Sequence, residues 1–486
     1  MPDRAFRAAA RRWISEDLRV SRRVTLRALA ATVGASLLSG CVSGQRKGGS
    51  SKPRVTVIGA GFSGLTCAYE LASAGAEVTV LESRGRVGGR VVTLRDVLPS
   101  RTVEGGGEWI GTNHPHWMAY MEKFGLKLRE ASDATGRIRY FLGGKLLDEK
   151  ESAEVEEGLA EIEKRLTEQA KDVNADEPWL SPNAAERDML TIAGFIDRSE
   201  VSPLGKKMAH LLFSADNAVP SKLQSYLANL AMIKGGNLEA YWTDSEVGRC
   251  TGGNQLLAQK FLEGIGPERV RLNTSVKRID GATVTLADGS KIEADEVVLT
   301  APPSTWSKIT IDDPRPGQWA VQMGRSVKYA RAVKSRFWKE AALDQETHSE
   351  NLVSESWDAT DNQEGVEAVL ANFVSAESAD RLLAIDPASR DAAMSKELDL
   401  LFPGFSANAT GKPVFMNWVQ DPNTRASYSF AAPGAITTVN KSMHESPNHL
   451  HFAGEHTCPK FVGYMEGALD SGARVAKHIA KKLALV

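Results

Sequence analysis

The sequence predicts an α/β chain of two interleaved units. One is a parallel sheet assembled from discontinuous segments; the other is an α+β unit of mixed sheet plus helices. Three observations carry this. A strand, a glycine-rich turn, a helix and a second strand follow one another between residues 54 and 82. Helical periodicity runs on to about residue 240. From Val270 the pattern changes to short β-rich runs.

Val55 to Ile58 is a β-branched apolar run, the signature of a buried parallel strand. Gly59, Gly61 and Gly64 then form G-x-G-x-x-G. Phe62 to Ala74 has helical spacing through Leu65, Ala68, Leu71 and Ala72, and Gly75 ends it. Ala76 to Leu81 is a second strand, and it delivers Glu82 eighteen residues after Gly64. This context turns a weak glycine pattern into a Rossmann-like dinucleotide site. Gly59 permits the tight turn, Gly61 the approach of a pyrophosphate, and Gly64 the packing of helix on strand. The helix start, at Phe62 and Ser63, offers free N–H groups and a partial positive charge. Glu82 would accept hydrogen bonds from a ribose diol and repel a 2′-phosphate. The glycine pattern alone does not separate NAD from FAD.

With 486 residues the chain is too long for one small core. The first 40 residues carry eight Arg and three acids, which leaves 51 basic and 58 acidic residues in the remainder, a charge of −7. A mildly acidic body gives no reason to expect nucleic acid as a partner. The Arg-rich start reads as an address. Arg22 and Arg23 precede Ala28 to Leu38, an eleven-residue, mostly apolar stretch. It is too short to span a bilayer and the right length for a signal h-region. The segment resembles a twin-arginine export signal, with Thr25 where Phe is commoner. Leu38-Ser39-Gly40-Cys41 resembles a lipoprotein box, with cleavage before Cys41 and lipid on its sulfur. The expected location is the bacterial envelope, lipid-anchored after export. Residues 1–40 would be the signal and 41–53 a Gly/Ser/Lys-rich tether.

Cys41, Cys67, Cys250 and Cys458 contain no C-x-x-C pair, so neither a disulfide framework nor a metal site is expected. His114 and His116, beside Asn113 and Pro115, mark a helix start rather than metal ligands. Val155, Leu159, Ile162 and Leu166 make an amphipathic helix whose charged face is solvated. Asp288-Gly289 signals a hairpin between two short strands. Residues 328–338 alternate and end in aromatics, 385–402 read as helix, and 463–485 form the last helix.

Further motifs follow in order: Ser83-Arg84-Gly85-Arg86-Val87-Gly88-Gly89-Arg90, Glu104-Gly-Gly-Gly-Glu-Trp-Ile-Gly111, Gly252-Gly253-Asn254, Ala301-Pro302-Pro303, Ala453-Gly454-Glu455 and Gly463-Tyr-Met-Glu-Gly-Ala468. Together they resemble the flavin-containing amine oxidase family, over nearly everything from Arg54 onward. The resemblance implies noncovalent FAD. Its site would draw on the glycine turn with Phe62 and Ser63, then Glu82, Ser83 and Arg84. Gly89 and Arg90 suit a diphosphate. Gly106 and Gly107 would let main chain lie against the flavin ring, next to Glu108 and Trp109. Val276 matches an adenine contact and Glu455 a ribityl or diphosphate contact. Gly463, Tyr464 and Met465 would present N–H groups to the pyrimidine end of the flavin.

The same resemblance implies the catalytic positions. Tyr428 and Tyr464 match the two walls of an aromatic cage. Lys328 matches a lysine that binds a water near flavin N5, and Trp418 a tryptophan near that water. Two departures matter. Ser427 stands where monoamine oxidases attach FAD through Cys. Trp109 stands where L-amino acid oxidases carry a carboxylate-binding Arg, and Glu108 adds an acid that could attract a second amine. The FAD-binding domain is expected over 54–132, 248–313 and 447–486, and the substrate domain over 133–247 and 314–446. The implied activity is oxidation of a primary or secondary amine to an imine by hydride transfer to flavin N5. The protein's share is to hold the C–H about 3–3.5 Å away in an aligned pose. The substrate is expected as a neutral amine in an apolar, aromatic cavity, with no protein base required. The electron acceptor would be O2 or an envelope redox carrier. Competing readings are an L-amino acid oxidase, a carotenoid-type desaturase, an NAD-dependent dehydrogenase, or an amine-binding envelope lipoprotein with structural FAD.

Overall fold

The computed structural model describes residues 52–133, 136–446 and 448–485. The twin-arginine pattern, Cys41 and most of the tether lie outside the described residues. The first sheet is built from β1 (Arg54–Ile58), which leads into helix α1 (Phe62–Ser73), and from β2 (Glu77–Leu81), β3 (Val270–Arg271), β4 (Glu296–Leu299) and β5 (Leu450–Phe452). Its order is β5-β4-β1-β2-β3, with every pair parallel. Val57 pairs with Val298 on one side and Val80 on the other, all three fully buried. Burial on both faces is why these strands read as continuous apolar runs rather than alternating ones.

The chain ends in helix α2 (Met465–Lys482), which lies against α1. A Cβ on Gly472 would come 2.3 Å from the Ser63 carbonyl, so glycine lets the two backbones touch. Ser63 Oγ and Ser471 Oγ are 3.1 Å apart at this crossing. The start of α1 therefore lies against α2 about two turns in from the start of α2.

A seven-stranded sheet has the order 409–417, 326–333, 368–375, 355–358, 343–349, 137–142 and 145–146. It is antiparallel except where 343–349 runs parallel to 137–142, so the expected mixed sheet is present. The strand Ser326–Val333 is buried on both faces rather than alternating. The four-stranded sheet carries the predicted hairpin, closed by Ser290 N donating to Asp288 Oδ1 at 2.9 Å.

The helix Glu149–Ala170 starts in a capping box between Asp148 and Glu151. Val155, Leu159, Ile162 and Leu166 are all buried, as their spacing requires. Its charged face is not uniformly wet: Glu163 is buried, and burial raises its carboxyl well above the usual range. The stretch 385–402 is interrupted, because Pro387 opens a separate turn and the helix proper is Arg390–Leu401. Cys67, Cys250 and Cys458 are buried free thiols. Among the described residues no His/Cys/Asp/Glu group could hold a metal, and no helix is long and apolar enough to cross a membrane.

Candidate active site

A cavity of about 480 Å³ opens where the C-terminal ends of β1 and β2 meet the starts of α1 and α2 and one face of the seven-stranded sheet. Lys328, Phe373 and Glu355 are register partners on three adjacent strands, and all three line it. All but one of the positions expected to bind cofactor or substrate line it too: Gly59, Gly61, Phe62, Ser63, Glu82, Ser83, Arg84, Gly89, Arg90, Gly106, Gly107, Glu108, Trp109, Val276, Lys328, Trp418, Tyr428, Glu455, Gly463, Tyr464 and Met465. The exception is Gly64. It stands behind the wall, where a Cβ would be 2.0 Å from the Gly59 carbonyl oxygen. Its role is helix-on-strand packing.

At the nucleotide end, Gly59 has φ +109° and makes the turn. Glu82 Oε2 accepts from Ala60 N at 2.8 Å, and Oε1 from Arg84 N at 2.8 Å. Arg84 itself reaches Asp421 and Thr424 and so ties the parallel sheet to the 421–427 segment. Arg90 Nη1 donates to Ser427 O at 2.7 Å and to Glu455 Oε1 at 3.0 Å. Glu455 also accepts from Ser429 Oγ at 2.8 Å and Gly463 N at 3.0 Å. Burial alone would raise the Glu455 carboxyl. Arg90, His456 and Ser429 outweigh it and hold the group below the usual range. Arg90 and Glu455 thus neutralise each other on the wall.

Gly106 and Gly107 line the cavity, and each also has a close protein neighbour. A Cβ on Gly106 would lie 1.8 Å from the Arg90 carbonyl, and one on Gly107 2.9 Å from Met465 Cγ. Both glycines answer to protein neighbours.

Lys328 Nζ donates to Glu104 O at 3.1 Å, to Gly106 O at 2.9 Å and to Glu108 Oε2 at 2.7 Å. An ammonium has three N–H groups, and all three are engaged. Glu108 is buried, and its Oε1 accepts from Arg249 Nε at 2.7 Å and Trp357 Nε1 at 2.8 Å. Burial pushes the Glu108 carboxyl up, but the Lys328 and Arg249 charges together hold it below the ordinary range. The carboxylate is thereby committed to cations of the protein, not to a second amine. Arg249 lies behind Trp109, its guanidinium 4.0 Å from the ring centre. Trp418 Nε1 donates to Gly105 O at 3.1 Å and packs its ring over Gly106.

Tyr428 donates its hydroxyl to Asp216 O at 2.6 Å, and its ring lies against Gly463, whose φ of +81° only glycine adopts readily. Tyr464 is the N-cap of α2 and stands edge-on to His114 at 5.3 Å. Burial first, then neighbouring acids, raise the Tyr428 hydroxyl well above its usual range. Burial, Tyr241 and then Glu246 do the same for Tyr464. Both phenols stay protonated and cannot serve as bases. Glu246 and Glu355 line the cavity as well, so it is not purely apolar and aromatic. Sequence reasoning missed these two acids together with Arg249 and Trp357. For Arg249 a signal existed, since it stands three residues before the Gly252-Gly253-Asn254 motif.

Two observations test whether this wall suits FAD. Ser427 Oγ is buried, lines the cavity and has no protein partner, so a polar bond is left for a ligand. A Cβ on Gly61 would meet no protein atom closer than 3.9 Å. Gly61 has φ −75°, so the fold itself does not demand glycine there. A pyrophosphate against the start of α1 does. The residues present fit the group.

The sequence profile of the flavin containing amine oxidoreductases matches residues 62–480. A Dictyostelium discoideum protein described as a probable flavin-containing monoamine oxidase A is 24% identical, over 88% of this chain and 98% of its own. Human flavin-containing amine oxidase B is 25% identical, over 88% of this chain and 86% of its own. The structure of cyclohexylamine oxidase from Brevibacterium oxydans IH-35A aligns with a TM-score of 0.79 at 25% identity, covering 89% of this chain and all of that one. Putrescine oxidase bound to putrescine shares the fold, with a TM-score of 0.77 at 23% identity over 89% and 99% of the two chains. With most of its length matched and its cavity suited to FAD, this chain belongs to the flavin containing amine oxidoreductase family.

Proposed function

We propose that the protein oxidises a primary or secondary amine to an imine, which then hydrolyses to an aldehyde or ketone. The observation that carries the substrate class is the charge of the cavity wall. Tyr428 and Tyr464 share it with Glu246 and Glu355, while Glu108 occupies both Lys328 and Arg249. A substrate carboxylate would lie beside Glu246 and Glu355, with Trp109 where an arginine would be needed, which disfavours an α-amino acid. An amine meets two aromatic faces with carboxyl side chains beside them.

FAD supplies the two-electron acceptor for the C–H bond next to nitrogen. The protein's residues orient and exclude. Tyr428 is fixed by its bond to the Asp216 carbonyl, and Tyr464 by the start of α2, so each ring can hold an amine in one pose. The neutral amine is the form that is oxidised, so proton loss precedes oxidation and faster reaction is expected at higher pH. The protonated phenols take no proton. Ser427, a hydroxyl where a thiol would be needed for attachment, supports noncovalent FAD. The electron acceptor is O2 or an envelope carrier, and the Arg22-Arg23 and Leu38-to-Cys41 patterns support export with a lipid on Cys41.

Anaerobic flavin bleaching across a panel of amines, polyamines and α-amino acids tests the substrate class. Bleaching by α-amino acids alone would overturn it. A Cys41→Ala variant that still fractionates with membranes would overturn the anchor.

A further inference from the structure

We propose that Glu108 is a positioning residue: it fixes Lys328 as a fully engaged ammonium on the cavity wall and thereby sets the potential that bound FAD meets. This rests on the reading of the cavity as an FAD site. Lys328 Nζ has spent its three N–H groups on Glu104 O, Gly106 O and Glu108 Oε2, and an ammonium has no lone pair. It is a fixed charge. Glu108 is itself held from the other side by Arg249 and Trp357, so its carboxylate has one orientation.

Lys328 and Glu108 both line the cavity, whereas Arg249 stands behind Trp109. Two cations and one anion leave the triad with one net positive charge. Glu104, whose carboxyl burial pushes up to about 7, and Arg129, on the strand paired with that of Arg249, stand beside the triad, and Glu246 and Glu355 line the same cavity; all four are the same in every variant below. Taking up two electrons and one proton adds one negative charge to FAD. A more positive triad favours that change and a less positive one favours it less.

The charges can be moved one unit at a time. Glu108→Gln adds one positive charge, Lys328→Met removes one, and the double variant restores the net charge of the parent through Arg249 alone. The experiment is anaerobic dye-coupled measurement of the flavin midpoint potential for the four holoproteins, on the alkaline side of Glu104's titration. Flavin content and thermal unfolding are recorded beside it. The expected result is a rise for Glu108→Gln, a fall for Lys328→Met, and a double variant near the parent. A purely structural role would lower unfolding temperature and flavin content without opposite shifts in potential. Shifts of the same sign in the two single variants, or no shift in either, would overturn the proposal. If Glu108→Gln does not retain FAD, the remaining pair decides: the double variant must lie above Lys328→Met, and equality or reversal overturns the idea. No amine is present in this measurement, so a failed substrate panel and a failed charge cycle are separate results.

Discussion

The Cα of Gly64 packs directly beneath the carbonyl of Gly59, so close that a Cβ would stand 2.0 Å from that oxygen. Gly61, three residues earlier, has open space instead. The two glycines of one motif should therefore fail differently. Gly64→Ala is expected to cost about 3 kcal/mol of stability through overpacking. Gly61→Ala should cost about 1 kcal/mol or less in the fold, yet lose most of its flavin. Thermal unfolding by circular dichroism, set against visible absorbance, separates the two. Equal unfolding temperatures for the variants would contradict the assignment.

Tyr464→Ala and Tyr428→Ala are each expected to lower kcat/KM for amines at least about tenfold, which is about 1.4 kcal/mol of lost stabilisation. Tyr428→Phe keeps the ring and loses only the bond to Asp216 O, worth about 1 kcal/mol of stability. It should retain most of its activity. Steady-state kinetics on the best amine of the panel, with unfolding temperatures, checks both statements.

Glu466 gives a pH signature. Its buried carboxylate accepts from His116 N at 2.8 Å and Trp117 N at 2.9 Å, at the start of the helix Pro115–Phe124. Burial dominates and raises it from 4.5 to about 7. Between those values the folded protein keeps the proton and the unfolded chain has lost it, so stability falls as pH rises through the window. The total is on the order of 3 kcal/mol. Glu466→Gln removes this slope. Its stability relative to the parent should improve from pH 4.5 to 7 and then level off. A gap between variant and parent that stays constant with pH would mean an ordinary carboxyl.

Acid precipitation of the holoprotein should leave its flavin entirely in the supernatant, because Ser427 carries no thiol. Yellow colour in the washed pellet would contradict that expectation.

The nucleotide half of the site was legible because its elements are local. Gly59, Gly61, Gly64 and Glu82 lie within one strand–helix–strand unit, and their spacing alone implies a turn and a helix start. Lys328, Tyr428 and Tyr464 came from ordered motifs and do line the cavity. Glu355 and Trp357 could not be read, because they reach the site through strand register: Glu355 pairs with Phe373 and Phe373 with Lys328. Pairing across tens of residues leaves no periodic trace in the chain. The Arg249–Glu108–Lys328 network is hidden for the same reason, since its partners are 141 and 220 positions apart. The packing neighbours of Gly106 and Gly107 were not legible either, as motif and main-chain packing ask for the same residue type.

The start of α2 forms one wall of the cavity. A ribosome must reach Met465 before that wall exists, while β1 emerges more than 400 positions earlier. Prosthetic-group capture is thus a late step of maturation. The half-made protein must shelter its apolar parallel strands until the C-terminal segment arrives, and a chain stopped short of Met465 should remain an apoprotein however well its N-terminal half folds.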